Sequence, residues 1–325
     1  MRILFVTATR IGDAVLSTGV LSHLLERYPG ARLTIAAGRD AAPLFADVPG
    51  LERVITIEKQ RWRAHWLGLY RAVALRRWDV VVDLRASALA YLLWGRQRYV
   101  ARKRRIGEHR VKQMADIFGL DAPPSPHLWI APAREAEAAR LMSPPFVGAG
   151  SGAPVLAIGP AANWRGKEWR AERFAELAQR LTAPGGLFPG ARVAVLAAKH
   201  EWPQAAPMIE ALGPRALDLV GKVHLLTAAA VIKRSALFIA NDTGLMHLAA
   251  ATGTPTLGLF GPSPIDQYAP WGSHTAVVAT AIPHKDLFPP DFDHLTTDTL
   301  MDSLSVDMAE EAARQLWARV AGKAA

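Results

Sequence analysis

The chain has 325 residues, of which 50% are hydrophobic, and a formal net charge of +9. A chain of this length is expected to form two domains of about 150 residues each. It contains no cysteine, which excludes disulfides and thiolate metal sites and is compatible with a reducing compartment.

No segment reaches the roughly 18 uninterrupted apolar residues that a membrane span requires. The best candidate, residues 223–240, contains two basic residues. Residues 1–6 begin like a secretory signal, but Arg10 and Asp13 follow too early for one, so we interpret this run as a first strand. The sequence therefore predicts a soluble protein.

Short β-branched apolar runs alternate with amphipathic segments, which predicts parallel sheets with helices on both faces. The first half is predicted to contain strands at 3–7, 33–36, 54–57 and 80–84 and helices at 14–28 and 62–77. A turn-rich segment, 143–152, then interrupts the alternation. We interpret it as the linker between domains that span residues 1–150 and 151–325.

The same alternation restarts after this segment. It predicts strands at 155–158, 192–196, 217–220, 237–240 and 256–260, and helices at 171–181, 205–212, 227–234 and 245–251. The last clear helix, at 306–321, is amphipathic and could pack back onto the first domain. Two such domains place a ligand in the cleft between them, outside the carboxyl ends of the strands.

The positive charge is concentrated in residues 59–112, where 15 Lys and Arg residues face three acidic residues. Seven Trp and Tyr residues are interleaved with them. This pattern suits an anionic partner, either a membrane surface or nucleic acid, although a solvated surface over buried aromatic residues would give the same composition. Because no nucleic-acid recognition motif is present, nucleic acid is the less favoured partner.

The most informative motif is the junction at residues 241–250. Asp242, Thr243 and Gly244 follow a predicted strand and open a predicted helix, and His247 projects near the first helical turn. The backbone N–H groups at such a helix start form a site for anions. The alternative is an ordinary capped turn between strand and helix.

The loop after the first predicted strand contains Gly12, Asp13 and Gly19 but no G-x-G-x-x-G motif. Nicotinamide or flavin binding through that motif is therefore disfavoured. Asp13 offers a carboxylate at the end of the first strand, and the alternative is that it caps the following helix.

Further polar loops follow the strands of the second half. The loop that contains Asn163, Arg165 and Lys167 offers a mobile cation suited to phosphate, or only surface charge. Glu201 follows a later strand and is a weaker candidate for contact with a base or ribose. No cluster of metal-ligand type is present, so we expect no tightly held metal.

Together these motifs resemble those of the lipopolysaccharide heptosyltransferases of glycosyltransferase family 9. The resemblance runs from residue 2 to about residue 272. It is carried by residues 2–4 and 11–13, by Lys167-x-Trp169, by Asn241-Asp242-Thr243-Gly244-x-x-His247 and by glycine and proline residues between 253 and 262.

The resemblance implies an α/β protein of the GT-B fold, with two Rossmann-like parallel-sheet domains facing across a cleft. The N-terminal domain would bind the acceptor and the C-terminal domain the nucleotide-sugar donor. The reaction would be inverting transfer of a heptose from an ADP-sugar to the anionic lipopolysaccharide core, without cofactor or metal. The enzyme would be cytoplasmic and peripheral on the inner face of the inner membrane, with no nucleic-acid partner.

The resemblance also implies roles for individual residues. Asp13 would be the general base, and Lys167 would neutralise the leaving diphosphate. The donor site would further contain Asn163, Glu201, Asp242, Thr243, Gly244 and His247, and the acceptor would contact Arg10, Arg104 and Arg105. The basic stretch 59–112 would contact either the membrane or the acceptor.

Two alternatives of other classes stay open. One is a GT-B enzyme with another donor, such as a UDP-sugar transferase or an epimerase. The other is a non-catalytic module that binds a nucleotide. Retention of both Asp13 and Lys167 argues against the module, since a pure binder has no use for a positioned base.

Overall fold

The computed structural model describes residues 1–58, 60–101, 105–143, 154–290 and 292–322. The chain divides into two compact units, Met1–Ala131 and Pro132–Ala325. Each unit is built on one parallel sheet with its own helices, which confirms the predicted fold class.

The first unit contains a five-stranded sheet in the order β3-β2-β1-β4-β5, and every neighbouring pair is parallel. Its elements, in chain order, are β1 (Arg2–Val6), α1 (Ile11–Leu16), α2 (Thr18–Arg27), β2 (Arg32–Gly38), β3 (Leu51–Ile57), α3 (His65–Val73), β4 (Trp78–Asp83), α4 (Leu89–Leu92), β5 (Gly95–Val100) and α5 (Arg110–Ile117).

This unit differs from the prediction in two helices and in its edge strand, and the prediction also lacks α4 and α5. The helix expected at 14–28 breaks at Ser17, whose hydroxyl donates to the Ala14 carbonyl at 2.7 Å and so competes with the helical ladder. The helix expected at 62–77 is shorter because Trp62 has a φ of 58°. Strand β5 was not predicted, because it is an exposed edge strand and lacks the apolar run of a buried one.

The second unit contains a six-stranded parallel sheet in the order β11-β10-β9-β6-β7-β8. Its elements are α6 (Pro132–Met142), β6 (Val155–Gly159), α7 (Ala171–Thr182), β7 (Arg192–Val195), α8 (Trp202–Leu212), β8 (Ala216–Asp218), α9 (Leu225–Lys233), β9 (Leu237–Asn241), α10 (Gly244–Ala251), β10 (Thr256–Phe260), α11 (Ile265–Tyr268), β11 (Thr275–Ala279) and α12 (Val306–Ala321).

The boundary between the units precedes α6, not the turn-rich segment. Helix α6 packs on α9, where Thr227 donates to Glu137 at 2.7 Å and Lys233 pairs with Glu135 at 2.8 Å. The first unit therefore ends at Ala131 and not at residue 150. Most of the predicted linker, residues 144–152, lies outside the described residues.

The last helix belongs to the second unit, and its packing on the first domain stays a prediction. The apolar face of α12 contributes Ala309, Ala313 and Leu316 to the core of the second unit. The helix packs against α7 and β11 of that unit, because its apolar stripe is buried best against the sheet that it follows in the chain.

The strand order reverses once in each sheet. The reversal lies between β1 and β4 in the first unit and between β6 and β9 in the second. At such a point the loops after the two central strands diverge to opposite faces and leave a crevice at the carboxyl edge of the sheet, where open α/β proteins bind ligands. Among the described residues, the predicted site residues lie at or next to these two edges.

Candidate functional site

In the second unit, an ion pair joins the two loops at the reversal point. Asp242 follows β9, and its Oδ2 lies 2.5 Å from the Lys167 Nζ in the loop after β6. Ser263 donates to the same carboxylate oxygen at 2.6 Å. The Nε2 of His247 lies 3.9 Å from the other carboxylate oxygen. Asp242 and His247 are buried, whereas the Lys167 side chain is 22% exposed, so the lysine is the most accessible member of this group.

Asn241 fixes the loop that carries Lys167. It is fully buried at the end of β9. Its Nδ2 donates to the Pro160 carbonyl at 2.7 Å, and its Oδ1 accepts the Trp169 N–H at 3.1 Å. Since both ends of the 160–169 loop are bound to one buried side chain, the position of Lys167 is set by the sheet and not by the loop alone.

Helix α10 begins next to this ion pair. Thr243 occupies the N-cap position, but its side chain makes no capping hydrogen bond, and Asp242 binds Lys167 and Ser263. An ordinary capped turn is therefore the wrong interpretation. The backbone N–H groups at the start of α10, from Gly244 onward, keep the partial positive charge of a helix N-terminus.

Arginines of the same loop bind the segment before α12. Arg165 lies 2.6 Å from Glu168 and 2.8 Å from Asp298, and Arg170 lies 2.7 Å from Asp302. The Arg170 hydrogen bond holds the pKa of the Asp302 carboxyl below its usual value. Arg165, proposed from sequence as loop charge, thus has a structural role.

The two remaining donor-site candidates lie on neighbouring loops of the same edge. Asn163 is exposed in the loop between β6 and α7. Glu201 follows β7, and its carboxylate accepts the Ala198 N–H at 2.7 Å, which caps the turn before α8. The structure gives Glu201 a local structural role, and its contact with a nucleoside stays a prediction.

In the first unit, Asp13 lies in the first turn of α1, just after the carboxyl end of β1. The N-cap residue is Arg10, so the alternative that Asp13 caps the helix is wrong. Arg110 of α5 lies opposite, with its Nε 3.9 Å from Oδ1 of Asp13, and both side chains are largely buried.

The basic residues predicted to contact an acceptor are only partly brought to this site. Arg10 is exposed in the loop before α1. Arg105 forms ion pairs with Glu108, at 2.7 Å, and with Asp116. Gln113 binds the backbone of the same segment, accepting the Arg105 N–H and donating to the Glu108 carbonyl at 2.7 Å. Arg104 lies outside the described residues.

Sequence reasoning missed the loop after β4, at the reversal point of the first sheet. Asp83 is fully buried and accepts the N–H groups of Arg85 and Ser87, each at 2.9 Å. The guanidinium of Arg85 lies 5.3 Å from the centroid of the Trp66 ring. Within the described residues, its buried Nη1 has no hydrogen-bond partner. Ala86, between Arg85 and Ser87, has a φ of 53°, a conformation that non-glycine residues adopt at constrained, often functional, positions.

A signal for this loop was present in the sequence. Asp83 and Arg85 are charged residues at the end of a predicted buried strand, the position that drew attention to Asp13 and Asp242. Because residues 59–112 contain so many basic residues, Arg85 was not distinguished from the others.

Among the described residues, no group of three potential metal-ligating side chains comes together. In the same part of the chain, no helix has the length and hydropathy needed to cross a bilayer.

Known relatives cover most of the chain. It is 26% identical over 314 residues to lipooligosaccharide heptosyltransferase 2 of Haemophilus influenzae, a match that covers 87% of this chain and 89% of the relative. It is 28% identical over 296 residues to lipopolysaccharide heptosyltransferase 1 of Pseudomonas aeruginosa, covering 81% and 79% of the two chains.

Solved structures show the same fold. A family 9 glycosyltransferase from Veillonella parvula matches with a TM-score of 0.78 at 20% identity, covering 98% of this chain and 97% of that one. An Escherichia coli heptosyltransferase with ADP-2-deoxy-2-fluoro heptose matches with a TM-score of 0.67 at 19% identity, over 97% and 99% of the two chains. These likenesses confirm the predicted GT-B fold.

The model of glycosyltransferase family 9 (heptosyltransferase) matches residues 67–289. This segment includes Lys167, Asp242 and the start of α10, the group that the second sheet brings together. The chain therefore belongs to glycosyltransferase family 9, the heptosyltransferase family.

Proposed function

We propose that this protein transfers a heptose from an ADP-heptose donor to the lipopolysaccharide core. The family match and the named activities of its relatives support this function. The main structural support for this function is the ion pair of Lys167 and Asp242 beside the start of α10. This arrangement suits the diphosphate of a nucleotide sugar.

On the donor side, breaking the bond between sugar and phosphate builds negative charge on the leaving diphosphate. Lys167 and the N–H groups at the start of α10 would stabilise this charge. Asp242 and Ser263 would hold the ammonium group in place until the donor binds. Thr243, Gly244, His247 and Asn163 would complete the donor site, with Glu201 nearer the nucleoside.

On the acceptor side, Asp13 would accept the proton of the attacking hydroxyl as its oxygen bonds to the anomeric carbon and ADP departs. Arg110 would orient this carboxylate, since its guanidinium lies 3.9 Å away. Arg10 and Arg105 would contact anionic groups of the acceptor, which suits the concentration of basic residues in this unit.

The decisive experiment is an assay of the purified protein with ADP-heptose and heptose-deficient lipopolysaccharide, with the product detected by mass. We expect addition of one heptose, with turnover maintained in excess EDTA because protein cations supply the charge that a metal would otherwise provide. Thermal stabilisation by ADP, UDP and NAD would be measured in parallel, since a ligand that binds the native state raises the unfolding temperature.

The possible outcomes separate the alternatives. Stabilisation by ADP together with transfer supports the proposal. Stabilisation by UDP, or transfer from a UDP-sugar alone, would assign another donor. Binding of a nucleotide without transfer to any core acceptor would indicate a non-catalytic module. Loss of turnover in EDTA would contradict the metal-independent mechanism only.

A further inference from the structure

The first unit exposes large apolar side chains in the two segments that lead into β4 and β5. Leu75 is 100% exposed, and Tyr91, Leu92 and Trp94 are each exposed by 66–69%. Exposed apolar groups that cluster on one surface mark an interaction site. We define these four side chains, with Arg77 and Arg96, as the amino-edge patch.

The location of the patch follows from the pairing of β4 with β5. Trp78 begins β4, Gly95 begins β5, and these two residues are paired in the sheet. The Trp78 N–H donates to the Trp94 carbonyl at 3.0 Å. Arg77 and Trp94 therefore lie where both strands start, at the opposite edge from Asp83. The two edges are about 20 Å apart, since six residues separate them at roughly 3.3 Å each.

The packing around α4 keeps the side chains of the patch exposed. In the segment around α4, Leu89 and Leu93 are buried in the core while Tyr91 and Leu92 point outward. Arg98 donates to the carbonyls of Ala90 and Leu93, at 2.8 and 2.9 Å. The end of α4 is thereby fixed, and the outward side chains cannot turn into a core that is already filled.

The patch combines aromatic and basic groups. The Arg77 guanidinium lies 5.4 Å from the centroid of the Trp94 ring. Arg96 lies two residues before Arg98 in β5, so both leave the same face of the strand, and both are exposed. Trp and Tyr side chains favour the headgroup level of bilayers, and Arg is attracted to anionic lipids.

We infer that the amino-edge patch docks the first unit on an anionic phospholipid bilayer. This assignment divides the basic stretch into two surfaces. The amino edge contacts lipid, while the carboxyl edge, with Asp13 and Arg85, is left for the acceptor. Binding to lipid does not depend on the proposed function, and only the role assigned to the carboxyl edge rests on it.

The test is flotation of the purified full chain with vesicles of phosphatidylethanolamine and phosphatidylglycerol, or of phosphatidylcholine alone. We expect the wild type to float with the anionic vesicles and much less with phosphatidylcholine. Tyr91→Ser combined with Trp94→Ser should lower the partition coefficient at least tenfold. Arg77→Glu and Arg96→Glu should each lower it roughly fivefold or more, and added salt should weaken binding.

Two matched substitutions on the second unit serve as controls. Trp202 is 42% exposed on α8, and Arg140 is exposed on α6. Trp202→Ser and Arg140→Glu should float like the wild type. Circular dichroism should show unchanged unfolding temperatures for the patch variants, because the altered side chains are exposed.

Three results would overturn the inference. The wild type could fail to float, the patch variants could float like the wild type, or the controls could lose binding to the same extent. Light scattering measures the oligomeric state and so tests whether a second copy of the chain covers the patch. A dimer that dissociates on Tyr91→Ser and Trp94→Ser, without flotation of the wild type, would assign the patch to a second copy of the chain.

Discussion

The ammonium of Lys167 lies 2.5 Å from the carboxylate of Asp242, across the point where the strand order of the second sheet reverses. The partners are 75 residues apart in sequence, and each follows one of the two strands that flank the reversal. The pair therefore positions a cation beside the start of α10 before any donor is bound. Positioning in advance lowers the free energy needed to organise the site during the reaction.

Replacement of Lys167 by alanine should weaken ADP binding by about ten- to a hundredfold, since hydrogen bonds to charged groups contribute about 1.5–3 kcal/mol. Isothermal titration with ADP measures this directly. The matched control is Lys233→Ala, because Lys233 also pairs with a carboxylate of the second unit, Glu135, at 2.8 Å. Equal ADP affinity in wild type and Lys167→Ala would show that the lysine does not contact the diphosphate.

The sequence predicts this arrangement only in part. Local hydrophobic patterns locate strands near β6 and β9, and the polar residues after them are visible as motifs. The contact between Lys167 and Asp242 depends on β6 and β9 being neighbours in the sheet. That adjacency is a property of the topology, so the ion pair and the role of Ser263 in it appear only in the structure.

The departures elsewhere have a similar cause. The end of the first unit was placed too late because α6 packs on α9, a contact between elements about 90 residues apart. Strand β5 was missed because its edge position leaves it exposed, without the apolar run by which buried strands are found. Arg85 could not be distinguished from other basic residues without knowledge of its burial.

Replacement of Asp13 by asparagine should lower the turnover number by about 10²- to 10⁴-fold, the usual contribution of a general base. The amide cannot accept the hydroxyl proton but has nearly the same size. ADP affinity should not change, because the proposed donor site lies in the second unit. Asp40→Asn, at an exposed position of the first unit, controls for a general change in charge. A turnover number within twofold of the wild type would remove Asp13 from its proposed role.

Arg85 should contribute to recognition of the anionic acceptor. Its side chain is partly exposed at the carboxyl edge of the first sheet, and a guanidinium forms strong paired hydrogen bonds with a carboxylate or phosphate. Arg85→Gln is expected to raise the KM for the acceptor about tenfold while leaving ADP affinity unchanged. Arg32→Gln is the control, because Arg32 is exposed at the other end of the first sheet. Steady-state kinetics with varied acceptor measures both, and an unchanged KM would assign Arg85 a structural role only.

Asp83 should make stability depend on pH in a direction opposite to that of most carboxylates. Burial raises the pKa of the Asp83 carboxyl above its ordinary value of 3.8, against the effect of the hydrogen bond from Ser87. The native state therefore binds this proton more tightly than the unfolded state does. As the pH rises from below 3.8 through the native pKa, the free energy of unfolding should decrease and then level off.

Urea unfolding at a series of pH values would measure this contribution as the difference between wild type and Asp83→Asn, which cannot titrate at this position. The free energy of unfolding of the wild type, relative to that of Asp83→Asn, should decrease as the pH rises from 3.8 through the native pKa. Ser87→Ala removes the 2.5 Å hydrogen bond that stabilises the charged form of Asp83. It should therefore move the decrease in stability to higher pH. If the relative stability of the wild type increased with pH instead, the hydrogen bonds to Asp83, and not its burial, would dominate its pKa.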